Sequence, residues 1–149
     1  MSRTRLASGV AFLALTLLGG CGWKRDPVLA PASGTVTHAG KPLAHVLVRF
    51  MPAERGIAPE WISEGTTDQM GRFVLVSARG PGAVVGKHRV TVSEGPVPDD
   101  IREDQARVTD WLRTLDGRPL PERFGTSATS PLEATVDEGG SSIDFELSR

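Results

Sequence analysis

Three histidines, one cysteine and a short run of carboxylates are the residues best suited to acid–base, nucleophilic or metal chemistry in this chain. His38 and His45 stand seven residues apart across a presumptive first hairpin, near enough to share a divalent ion weakly. No cysteine, methionine or carboxylate is placed to supply the three or four converging ligands a site needs, so the expectation is no metal. None of the histidines has an H-x-x-E spacing. Ser130 and the Ser141-Ser142 pair have no general base nearby in sequence, and Ser130-Pro131 reads as turn chemistry. Gly80, Gly82 and Gly86 form no phosphate loop, because no Gly-Lys-Ser/Thr follows them. Asp99, Asp100, Glu103 and Asp104 could hold calcium, but acids at a helix N-terminus are favoured by the helix dipole, which accounts for them equally well. The residues therefore predict no catalytic group, no cofactor and no enzyme activity.

Cys21 is the sole cysteine, so it has no partner for an intramolecular disulfide and calls for another explanation. Upstream, Arg3 and Arg5 form a positive segment and Leu6 to Leu18 a mainly apolar run thirteen residues long. A span of the bilayer takes roughly 20 residues, so this run has the length of a signal-peptide core instead. Leu18-Gly19-Gly20-Cys21 resembles the lipobox of bacterial lipoproteins. The resemblance implies cleavage after Gly20 and acylation of Cys21, with palmitate among the attached chains. One acyl chain holds a protein only marginally, whereas two or three anchor it. Gly22, rather than Asp, follows the cysteine, which by similarity to Gram-negative sorting signals implies the outer membrane, facing periplasm or exterior. Without residues 1–20 the chain keeps fifteen basic and eighteen acidic residues, a net charge of about −3, and no basic tract. Nucleic acid is not an expected partner.

What must position the remaining side chains is a set of short alternating runs. Residues 21–32, with Pro27 and Pro31, read as the lipidated cysteine and a tether, and 33–149 as one domain. Strands are predicted at Ser33–His38, Ala44–Met51, Trp61–Thr67, Arg72–Ala78, Gly86–Ser93, Pro131–Val136 and Ser142–Leu147. Their inward sets include Val46, Val48 and Phe50; His88, Val90 and Val92; Leu132, Ala134 and Val136; and Ile143, Phe145 and Leu147. The middle marker is Gly65–Val76. There Asp68 is placed to make an Asx turn, Gly71 permits a positive φ, and Phe73 with Leu75 faces the core. Seven such strands predict a β-sandwich. One segment departs from the alternation: Ile101, Gln105, Val108, Leu112 and Leu115 form a helical stripe in an insert over about 99–116. Asp100 and Glu103 suggest a capping box, and Asp116-Gly117 a stop. Trp111 at the stripe's edge reads as a staple for the helix; alternatively, Trp61 and Trp111, if exposed, would stack on a sugar or other small ligand.

Four segments in order carry a resemblance. SGTVTHAGKPLAHVLVRFMP is similar to the opening of carboxypeptidase regulatory-like domains, and TTDQMGRFVL to their T-D-x-x-G-x-F turn. Pro81-Gly82 with GKHRVTV, and then PERFGTSATSPLEATVDEGGSSIDFEL, resemble the remainder of short bacterial lipoproteins with this domain. The similarity spans Ala32 to Leu147 and implies a transthyretin-like, or Ig-like, sandwich of seven to eight strands. His88 stands where that family usually has tyrosine, and the chain has no tyrosine. Related hydroxyisourate hydrolases end in Tyr-Arg-Gly-Ser, whereas this chain ends Glu-Leu-Ser-Arg, so a transthyretin-related hydrolase is the weakest alternative. The expectation is a non-catalytic, lipid-anchored binding or structural module of the cell envelope. Its partners would be the membrane, through the lipid, and an envelope protein or glycan.

Overall fold

A computed structural model describes residues 26–54, 58–115 and 120–148. The signal segment, Cys21 and the Asp116-Gly117 stop lie outside these residues. In chain order the strands are β1 (Leu29–Ala30), β2 (Ala32–His38), β3 (Lys41–Pro42), β4 (Val46–Pro52), β5 (Ser63–Thr66), β6 (Arg72–Val74) and β7 (Val76–Ser77). After them come β8 (Gly80–Pro81), β9 (Ala83–Val84), β10 (Gly86–Glu94), β11 (Glu133–Val136), β12 (Ser141–Ser142) and β13 (Phe145–Leu147). One helix, α1 (Gln105–Leu115), sits between β10 and β11. Together they make a mainly β sandwich with an inserted helix.

The larger sheet runs β11-β10-β4-β5-β7-β8 and is antiparallel throughout. The smaller is built on β2, with β3 and β6 antiparallel to it and β12 and β13 parallel. Alternation decides which side chains meet between the sheets. Val46, Val48 and Phe50 of β4, Val90 and Val92 of β10, Val36 of β2 and Leu147 of β13 have no solvent exposure. Phe50 sits at the centre, its ring 6.2 Å from Phe73 and 6.0 Å from Phe145. Burying each such side chain contributes about 1.5–3 kcal/mol, so this face holds the sheets together.

Several boundaries differ from the sequence expectation, each for a local reason. Leu29 and Ala30 pair with Val84 and Ala83, so the sandwich begins inside the segment expected as tether. Trp61 does not open a strand: Pro59 starts a single 3-10 turn, with Trp61 N–H donating to Ala58 at 3.0 Å. The run Arg72–Ala78 is not one strand, because it passes from one sheet to the other at Leu75. The Leu75 N–H donates to Ala32 O at 2.9 Å, while β7 pairs with β5. Gly65 makes the passage possible, since a Cβ there would lie 2.4 Å from Val74 O. The last strand is also split, because the Thr35 N–H bonds the Asp144 carboxylate at 3.0 Å.

The insert is shifted as well. Residues 99–103 form turns, and the helix begins at Gln105. Its cap is Asp104, whose Oδ1 accepts from Ala106 N at 3.0 Å and Arg107 N at 3.1 Å, not the Asp100–Glu103 pair. The stripe is only partly covered: Gln105 is exposed and Leu112 is 49% exposed, while Val108 and Trp111 are half-buried.

Candidate functional site

The turn at Asp68 is built by one carboxylate serving three donors. Asp68 Oδ1 accepts from Met70 N at 2.8 Å and Arg72 N at 2.9 Å, and Oδ2 accepts from Arg72 Nε at 3.0 Å. Those bonds, led by the Arg72 amide, hold the Asp68 carboxyl below its ordinary pKa. Gly71 closes the turn at φ +73°, and its Cβ position would meet Val36 O at 2.6 Å, so both handedness and space require glycine. Two residues on, Phe73 is buried in the core.

Asp68 and Arg72 form one end of a surface trough. A groove of about 530 Å³ is lined by Ser33, Gly34, Thr35, Asp68, Arg72, Phe73, Val74 and Ser142. A neighbour of about 470 Å³ shares Ser33, Val74 and Ser142 and continues to Pro31, Pro81 and the Gly139-Gly140 backbone. Val74 stands between them 67% exposed. Three separate chain segments converge here because β2 pairs with both β6 and β12. The trough offers apolar walls with the Ser33 and Ser142 hydroxyls along one side, the composition of a binding surface, while the Thr35 hydroxyl donates to Asp144 at 2.8 Å.

Other hydroxyls and rings, Ser141 of the trough included, are engaged structurally. Ser130 Oγ, buried, donates to Val90 O at 2.5 Å. Ser141 Oγ accepts from Asp137 N at 3.0 Å. His45 Nε2 lies 3.1 Å from Gln69 Nε2. Among the described residues, no three His, Cys, Asp or Glu side chains converge as a metal site. Of the four acids before the helix, Asp99 pairs with Arg102 at 2.5 Å, Asp100 with Arg107 at 3.2 Å, and Asp104 is the cap.

His88 is a buried titratable group in the interior of the sandwich. It is 1% exposed, its ring centroid 5.5 Å from that of Phe50, with Nδ1 3.0 Å from Gly86 O. That contact assigns the proton to Nδ1 and leaves the buried Nε2 without a partner among the described residues. Burial lowers its pKa, so the ring is neutral.

Neither Trp61 nor Trp111 stands open as a flat platform. Trp61 is half-buried, with the Arg79 guanidinium 5.0 Å from its ring centroid. Trp111 is half-buried with its indole nitrogen enclosed. The Arg79 contact escapes sequence reading because eighteen residues and a sheet corner separate the pair, and the Gly80-Pro81 turn signal after it marks only the bend. No protein-family model, curated protein or solved structure matches this chain.

Proposed function

We propose that this chain is a lipid-anchored protein of the cell envelope, at the outer membrane, whose domain is a non-catalytic binding or structural module of the carboxypeptidase regulatory-like, transthyretin-like kind. The Leu18–Cys21 motif supports the anchoring, with Cys21 as the lipidated residue. The observation that carries the binding role is the trough around Val74, where apolar side chains stand in water beside hydroxyls instead of being covered by the fold. An extended segment of an envelope protein suits such a trough, with hydroxyls meeting its backbone and Val74 its side chains. A carbohydrate or small-ligand role ranks behind this one, since Arg79 covers one face of Trp61.

Replacing Cys21 with serine should leave unprocessed precursor and abolish partitioning into a detergent phase. Partitioning as a lipoprotein despite the change would refute the anchoring. For the binding role, crosslinking in the native envelope should capture a partner through residues of the trough, and Val74→Arg should abolish that adduct while the protein stays folded. An adduct insensitive to Val74→Arg would place the partner elsewhere.

A further inference from the structure

The start of the described chain is tied to a particular face of the sandwich. Leu29 and Ala30 pair with Val84 and Ala83, and the Val85 N–H donates to Val28 O at 2.9 Å. Just upstream, the Asp26 carboxylate lies 3.3 Å from Arg79, which itself stacks on Trp61. Asp26, Pro27, Leu29, Trp61, Ala78 and Arg79 line a shallow depression of about 440 Å³. Val28 beside it is 62% exposed.

Four residues lie between Cys21 and Asp26, five steps of chain. Fully extended, they reach about 18 Å. A domain of this size is roughly 35 Å across, about twice that reach. A lipid on Cys21 therefore leaves the sandwich little freedom to present a different side to the bilayer. The side it must present carries an amphipathic indole, an arginine side chain 47% exposed and an exposed valine. Indole rings settle at the level of lipid headgroups, and guanidinium groups pair with phosphate oxygens. In sequence, the two residues that precede Asp26 are Lys24 and Arg25, both basic in a chain that is otherwise acidic.

We infer that the Asp26–Trp61–Arg79 face is a membrane-docking surface, seated on phospholipid headgroups with Arg79 toward a lipid phosphate and Trp61 at the interface. This inference rests on acylation of Cys21, proposed above, and adds to it a fixed orientation. The trough around Val74 then belongs to a domain that is held against the bilayer and does not swing from it.

The test uses the full mature chain, acylated and reconstituted into phosphatidylethanolamine–phosphatidylglycerol vesicles containing lipids brominated near the headgroup. With Trp23→Phe and Trp111→Phe in place, Trp61 is the single reporter. Its emission should lose most of its intensity in brominated vesicles, and Arg79→Glu should restore it. Hydrogen exchange on the unaltered chain supplies an independent reading: amides of Val28–Leu29 and Ser77–Gly80 should be slower on vesicles than in detergent. Emission indifferent to bromine, or equal exchange in the two settings, on a chain whose mass shows acylated Cys21 overturns the docking and leaves the anchor intact. A mass showing an unacylated Cys21 overturns both, and mass spectrometry rather than fluorescence reports that failure.

Discussion

The sandwich interior and the helical insert were both laid down by periodic apolar residues, yet they end in opposite conditions. Phe50, Phe73 and Phe145 meet in tilted, edge-to-face and stacked pairs, and every one is buried. The insert puts Leu112 largely in water and leaves Gln105 on the stripe exposed. The difference lies in what faces each pattern. A strand's inward side is met by a second sheet at once, whereas an eleven-residue helix on the outside has a face to cover and no layer of its own. Periodicity tells which residues seek cover, and the surrounding architecture decides whether they find it.

Removing a ring should break the comparison most visibly. Phe73→Ala should cost about 3–5 kcal/mol in urea denaturation, because a large cavity opens between two sheets that cannot close on it. A cost below about 1 kcal/mol would put Phe73 outside the interior. A subtler change sharpens the same region. His88 has a pKa lowered from its ordinary value of 6.5, chiefly by burial. The unfolded chain thus takes up a proton near that pH while the folded chain resists it, so stability is undiminished above about pH 6.5 and falls as the pH drops below it. His88→Phe keeps a ring against Phe50 and should flatten that decline between neutral and mildly acidic pH; an unchanged pH profile would show that His88 is not its source. The smallest effect belongs to the helix. Leu112→Ser should shift stability by no more than about 0.5 kcal/mol, and a larger loss in thermal denaturation would mean that Leu112 is covered in solution.

The strands were legible because the signal is local: Val46, Val48 and Phe50 alternate, and alternation needs no knowledge of the neighbour. The breaks in the strands were not. Leu75 changes sheets where its N–H still bonds Ala32 of β2 while its carbonyl accepts from Gly82, and the last strand divides because Asp144 reaches Thr35, 109 residues away. The helix start was ambiguous for another reason. Four acids stand in six residues, any of which can cap, and only the backbone path selects Asp104. The trough was invisible for the same reason as the strand breaks: Ser33, Val74 and Ser142 become neighbours only through β-pairing. Trp61 was expected in a strand, but Pro59 winds the chain into a turn that sets the indole beneath Arg79.

The parallel pairing of β2 with β13 has a mechanical meaning. Tension applied at the two ends of the domain draws β2 by its beginning and β13 by its end, in opposite directions along a shared axis. The backbone bonds between them are then loaded in shear, all together, instead of being unzipped one at a time. Thr35 to Asp144 and Thr37 to Glu146 are side-chain rungs across the same seam. A domain pulled from its two ends resists along the seam where its first long strand and its last strand lie side by side.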